Sequence, residues 1–220
     1  MLLQGKKILF LGDSITEGAG TSSHEHRYFE IIQAKTGAIC KGYGVGGTRI
    51  TRIKEKSDNP EHDRWFNSRI DELDKDADII VIFGGTNDFG HGGIELGNIG
   101  DTDEYTFYGA LNTLYQNVLS NFPNSKIVVA TPIHRSDENE ELSSHNLRRL
   151  TNLKGFVDII KEVANKYSLY VIDLYNKVEI NIDDRRQKDL YIPDGLHPSD
   201  MGNELIANEI IKQLLCIDIH

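Results

Sequence analysis

The chain reads as an α/β protein, a three-layer α/β/α arrangement around a five-stranded parallel sheet. Three observations predict it: short continuously apolar runs recur, amphipathic helical patterns fall between them, and polar or glycine-rich segments follow the runs. The runs cover residues 8–11, 79–83, 127–130 and 169–172, and none shows the polar alternation of a sheet open to water on one face. A weaker candidate, residues 38–45, fills the gap between the first two. Helical spacing links Phe107, Leu111, Leu114 and Val118, then Leu153, Phe156, Val157, Ile160 and Val163. The last helix carries Met201, Leu205, Ile210 and Leu214, and residues 27–35 and 65–73 are weaker helical segments. Right-handed crossovers then favour the flavodoxin-like strand order 2-1-3-4-5, with its switch point between strands one and three. With no repeat, low-complexity tract or linker, residues 1–220 are expected to form one domain.

Composition narrows the partners. A formal net charge of -10 over 220 residues argues against nucleic acid and against anionic lipid, both of which need basic patches. A neutral small molecule or sugar remains compatible. The two cysteines, Cys40 and Cys216, have no metal-ligand spacing around them and read as reduced bystander thiols. No run approaches the roughly 18 apolar residues of a membrane span. The N-terminal residues lack a signal peptide's apolar core, so the expected compartment is the cytoplasm.

The predicted topology makes a site before any motif is matched. Segments leaving the carboxyl ends of strands one, two and three would converge at the switch point. They carry Ser14, the turn Gly44-Val45-Gly46-Gly47, and Asn87. Two further connections are longer than structure requires. Residues 84–100 contain seven glycines, and residues 132–150 carry Asp137, Glu138, Glu140 and Glu141, a cluster expected to be a solvated surface.

Ser14 has two readings. Ser14-Ile15-Thr16-Glu17 fits a capping box with Ser14 as the cap of a helix. As a nucleophile, Ser14 would need a base, a group orienting that base, and oxyanion donors. His197, in Asp194-Gly195-Leu196-His197-Pro198 just before the last helix, is the candidate base. Asp194, three residues earlier in a tight turn, can hold Nδ1–H and leave Nε2 free. Gly47 could offer a backbone N–H unobstructed by a side chain, with Gly46 as the alternative, and Asn87 a side-chain NH₂. The Ser14 N–H at a helix start would be a third donor. Asp13, Arg49 and His91 are the candidate substrate-contacting residues. Arg49 follows the glycine turn and would otherwise make a surface ion pair, and His91 would otherwise be an exposed loop residue. His24, His26, His62, His134, His145 and His220 have no distinguishing partner spacing. Tyr191 is expected under the Asp194–His197 turn and Trp65 in the core or at its rim.

Together Gly12-Asp13-Ser14, Gly44-Val45-Gly46-Gly47, Gly84-Gly85-Thr86-Asn87-Asp88 and Asp194-Gly195-Leu196-His197-Pro198 resemble the four motif blocks of the SGNH, or GDSL, hydrolases. The resemblance spans nearly the whole chain, in the family's order. One departure is Gly42-Tyr43-Gly44, where the second block often opens with Asn. The resemblance implies an SGNH hydrolase fold and a Ser14–His197–Asp194 triad. It also implies an oxyanion hole of the Ser14 amide, the Gly47 amide and the Asn87 side chain, with no metal or cofactor. The implied reaction is hydrolysis of a small ester, with acetyl on a carbohydrate favoured by polar, glycine-rich loops and the lack of a greasy lid. A lipase, lysophospholipase, thioesterase or acyltransferase would share the triad. A non-catalytic flavodoxin-like module holding an anion at the Gly-Asp-Ser turn would have no use for Asp194 and His197.

Overall fold

The computed structural model describes residues 3–54 and 56–217; His220 lies outside the described residues. Five parallel strands, β1 (Lys7–Gly12), β2 (Ile39–Gly44), β3 (Ile79–Phe83), β4 (Lys126–Ala130) and β5 (Tyr170–Ile172), lie in the order β2-β1-β3-β4-β5. This is the expected three-layer α/β/α fold. Its helices are α1 (Ser14–Glu17), α2 (Tyr28–Thr36), α3 (Thr86–His91), α4 (Phe107–Asn121), α5 (Leu153–Lys166), α6 (Leu174–Lys177), α7 (Arg185–Tyr191) and α8 (Asp200–Leu214). Among the described residues no helix is long and apolar enough to cross a membrane. Cys40 in β2 and Cys216 are both free thiols.

The continuous apolar runs have a physical cause. Successive strand residues point to opposite faces, so a strand covered on both must be apolar at every position. Leu9, Leu11, Ile80, Ile82, Ile127 and Val129 meet Phe107, Leu111 and Leu114 of α4 and Phe156 and Ile160 of α5 on one side. Ile8, Phe10, Ile79, Val81 and Val128 meet Phe29 and Ile32 of α2 and Ile206, Ile210 and Leu214 of α8 on the other. Each such side chain, fully buried, stabilises the fold by about 1.5–3 kcal/mol. At the sheet edge, β2 is only partly covered, with Ile39 53% exposed, which explains its weak signal.

Several elements differ from expectation. Residues 65–73 form not an α-helix but a 3₁₀ segment, Phe66–Glu72. Its buried Phe66 and Ile70 are four residues apart, a spacing that does not separate the two periods over seven residues. The 84–100 connection is not all loop, because α3 starts directly after Gly85. In α8 the buried face is Ile206, Ala207, Ile210 and Leu214, while Met201 is 51% exposed. The 137–141 cluster is not simply a solvated surface. Asp137 accepts from Arg135 and Arg149, and Glu138 is buried against His134 and Tyr175, while Glu140 and Glu141 are exposed.

Candidate active site

The end of β1 sets the geometry. Asp13, not Ser14, caps α1: its carboxylate accepts from the Ile15 N–H at 3.0 Å. The capping-box expectation is thus corrected by one residue, and the Ser14 hydroxyl is released from capping. Asp13 is also corrected as a substrate contact, because it is 2% exposed and turned to the helix backbone. Burial pushes its carboxyl up to about 6, against the pull of the Ile15 N–H, Arg69 and His197.

Ser14 Oγ lies 3.0 Å from His197 Nε2, and His197 Nδ1 lies 2.7 Å from Asp194 Oδ2. The remaining Asp194 oxygen, Oδ1, accepts the backbone N–H groups of Leu196 at 2.8 Å and His197 at 2.7 Å. The tight turn thus fixes both ends of the aspartate–histidine pair. Burial raises the Asp194 carboxyl, but the His197 and Leu196 N–H groups and the imidazole outweigh it and hold it below the usual carboxylate range. An ionised Asp194 accepts Nδ1–H and leaves the Nε2 lone pair facing Ser14. Ser199 caps α8 through Gly202 N–H at 3.2 Å, and the Tyr191 carbonyl takes the Ser199 N–H at 2.8 Å. Tyr191 therefore supports the turn through its backbone.

The neighbouring loop is built by Asn87 and Asp88. Asn87 donates one side-chain N–H to the Thr48 carbonyl at 2.9 Å, and among the described residues its second amide hydrogen has no acceptor. Asp88, fully buried, accepts from the Ile50 and Thr51 N–H groups, each at 2.9 Å, and from the Thr51 hydroxyl at 2.7 Å. Among the described residues, neither the Gly46 nor the Gly47 N–H donates to a protein acceptor. Gly47 needs its freedom, since φ is +72° and a Cβ there would strike the His62 ring. A Cβ on Gly46 would sit 3.8 Å from Ser14 Cβ, so this turn adjoins the serine.

Sequence reasoning missed three arginines. Arg69, 1% exposed, donates to the Gly12 and Tyr43 carbonyls at 2.9 Å and to the Thr48 hydroxyl at 3.1 Å. It ties the ends of β1 and β2 to the 45–51 loop. Burial lowers its pKa to about 10, so it stays charged at neutral pH. Arg135 donates to the Thr86 carbonyl at 3.0 Å, and Arg149 to the Phe89 and Gly90 carbonyls at 3.1 and 3.2 Å. Asp137 pairs with both, so the long 132–150 loop holds the helix that carries Asn87. None of the three had a local signal.

Arg49 makes no ion pair among the described residues and lines a cavity of about 480 Å³ together with Gly47 and His91. His62 and His145, set aside in the sequence, line it too. Trp65 sits at a rim, its Nε1–H on Glu104 at 3.1 Å and its face under Arg52 at 4.7 Å. Among the described residues no three His, Cys, Asp or Glu side chains are grouped to hold a metal ion.

A family model described as the GDSL-like Lipase/Acylhydrolase family matches residues 10–205, and the chain belongs to that family. Among solved structures, one is 32% identical, aligns over 98% of both chains and has a TM-score of 0.84. A protein from Lactobacillus plantarum is 27% identical over 98% of this chain and 99% of its own, with a TM-score of 0.82. An acetyl xylan esterase, 22% identical over 94% of this chain and 98% of its own, shares the fold at a TM-score of 0.62. No curated protein matches the chain.

Proposed function

We propose that the chain is a serine esterase that works through an acyl-enzyme on Ser14. The observation that carries this is the unbroken relay of Ser14 Oγ, His197 and Asp194, at 3.0 and 2.7 Å. These are distances at which a general base takes a hydroxyl proton. Ser14 Oγ attacks the ester carbonyl carbon as His197 Nε2 takes its proton. The C=O electron pair moves onto the carbonyl oxygen, which receives the Ser14 and Gly47 N–H groups and the free Asn87 amide hydrogen. The tetrahedral adduct collapses, the alkoxide leaves with the proton from His197, and water repeats the sequence to release the acid.

The acyl group is short, with acetyl on a carbohydrate or another small alcohol as the leading substrate class. Support comes from the polar, glycine-rich segments around the site and the fold shared with an acetyl xylan esterase. The same reading takes residues 1–220 as one domain in the cytoplasm. A panel of p-nitrophenyl esters of rising chain length, beside acetylated sugars, tests the reading. Turnover falling steeply beyond butyrate is expected, and preference for octanoate or longer would overturn the short-acyl assignment.

A further inference from the structure

We infer that an anion-binding subsite lies beside the proposed oxyanion hole, so that the esterase's substrate carries a carboxylate or phosphate near its ester bond. The inference rests on the esterase reading above for the word substrate, but the subsite rests on its own geometry. The cavity that starts at Gly47 is lined by Arg49, Lys56, His62, His91 and His145, with Asp58 as the carboxylate facing them. The chain as a whole carries ten more acidic than basic residues, whereas this lining holds two full cations and three imidazoles to one carboxylate, with Asp63 and Asp88 as the further carboxylates near Arg49. A second cavity of about 450 Å³ shares Arg49 and Lys56 and adds Arg52, together with Lys54 paired to Glu95.

Arg49 is the anchor. It is half-buried, its guanidinium makes no hydrogen bond or ion pair among the described residues, and it borders both cavities. A guanidinium held this way presents a planar fork of donors suited to a carboxylate or phosphate. The site's position is set by α3. His91 follows Asn87 by four residues on that helix and so shares its face one turn on. On the opposite wall, Gly47 and Arg49 flank Thr48, whose carbonyl Asn87 holds. The His91 and His145 rings stack with centroids 5.6 Å apart and planes at 18°. Burial, then Arg49, His145, His62 and Arg135, lower the His91 pKa to about 4, so it offers a neutral N–H at pH 7.

Two matched ester pairs test this and separate the two places the charge could sit. 4-Acetoxybenzoate against its methyl ester puts the anion on the alcohol side. Mono-p-nitrophenyl adipate against p-nitrophenyl hexanoate puts it on the acyl side, with the acyl chain length held constant. The ratio of kcat/KM, anionic over neutral, is expected to favour the anion in one pair. In that pair it falls about tenfold in Arg49→Gln and is partly restored in Arg49→Lys, as loss of a charge-assisted hydrogen bond requires. Ratios at or below one in both pairs, or ratios that Arg49→Gln does not move, overturn the inference. A binding measurement needs no turnover: calorimetry with 4-hydroxybenzoate and its methyl ester on the wild-type chain. About tenfold tighter binding of the carboxylate, lost in Arg49→Gln, supports the subsite, and equal affinity together with no anionic preference in the adipate pair overturns it. Carboxylate binding without hydrolysis of any ester would sink the esterase reading and leave the subsite standing. Hydrolysis of neutral esters with no charge preference would do the reverse.

Discussion

Ser14 and Asp13 are neighbours with opposite demands. Both are good helix caps, so sequence leaves the cap ambiguous by one position. The carboxylate takes the Ile15 N–H, and that choice is what turns the Ser14 hydroxyl toward His197. The cap has a pH signature. Asp13 titrates near 6 in the folded chain against an ordinary value of 3.8. Between those values the folded state holds a proton that the unfolded state has lost. This carboxyl's contribution to stability is therefore full below about pH 4 and shrinks as pH rises through 6. Asp13→Asn keeps an acceptor for Ile15, so it should match wild type near pH 4 and exceed it by about 1–3 kcal/mol at pH 7.5 in urea denaturation. Parallel pH profiles for the two proteins would contradict this. Asn87→Ala should fold normally and lose about 10²–10³ in kcat on p-nitrophenyl acetate, the usual loss for one oxyanion donor. Asp194→Asn should lose about 10⁴, because an amide at Oδ2 favours the wrong imidazole tautomer.

At the scale of elements, the site depends on clamps rather than on local propensity. The short helix α3 is crowded by Gly84, Gly85, Gly90, Gly92 and Gly93, which makes it illegible as a helix. Arg135 and Arg149 hold it instead, by taking its carbonyls from a loop that begins some forty residues further on. The 45–51 loop is held by Asp88, Asn87 and Arg69. Asp88→Ala strands the buried N–H groups of Ile50 and Thr51 and should cost about 2–4 kcal/mol in chemical denaturation. It should also lower kcat, by loosening the Gly47 donor. The signs that were legible and those that were not divide cleanly here. Motif spacing pointed to Ser14, Asn87, Asp194 and His197, whose proposed chemistry demands particular side chains. Arg69 sits in an ordinary Ser-Arg-Ile-Asp-Glu stretch, and nothing local says that its guanidinium is buried under two strand ends.

For the whole molecule, the sheet was legible because parallel strands covered on both faces must be apolar throughout, and right-handed crossovers leave few strand orders. What stayed hidden were the short helices α3, α6 and α7 and the 3₁₀ character of Phe66–Glu72, pieces that tertiary contacts stabilise more than their own periodicity. One aromatic cluster links the fold to the site. Phe156 of α5, 1% exposed, packs on Phe89 of α3 at 5.9 Å and Phe107 of α4 at 4.7 Å between ring centroids. Phe156→Ala should cost about 3–5 kcal/mol, read as a lower midpoint in urea.

The most direct measurement is mass spectrometry of the purified chain after treatment with a fluorophosphonate, with His197→Ala and Ser14→Ala beside it. A single phosphonyl adduct on Ser14, slowed at least a thousandfold in His197→Ala and absent in Ser14→Ala, is the predicted result, as expected when a base activates one nucleophile (about 10³ or more). Labelling at another residue, or equal labelling of Ser14 with and without His197, would contradict the account.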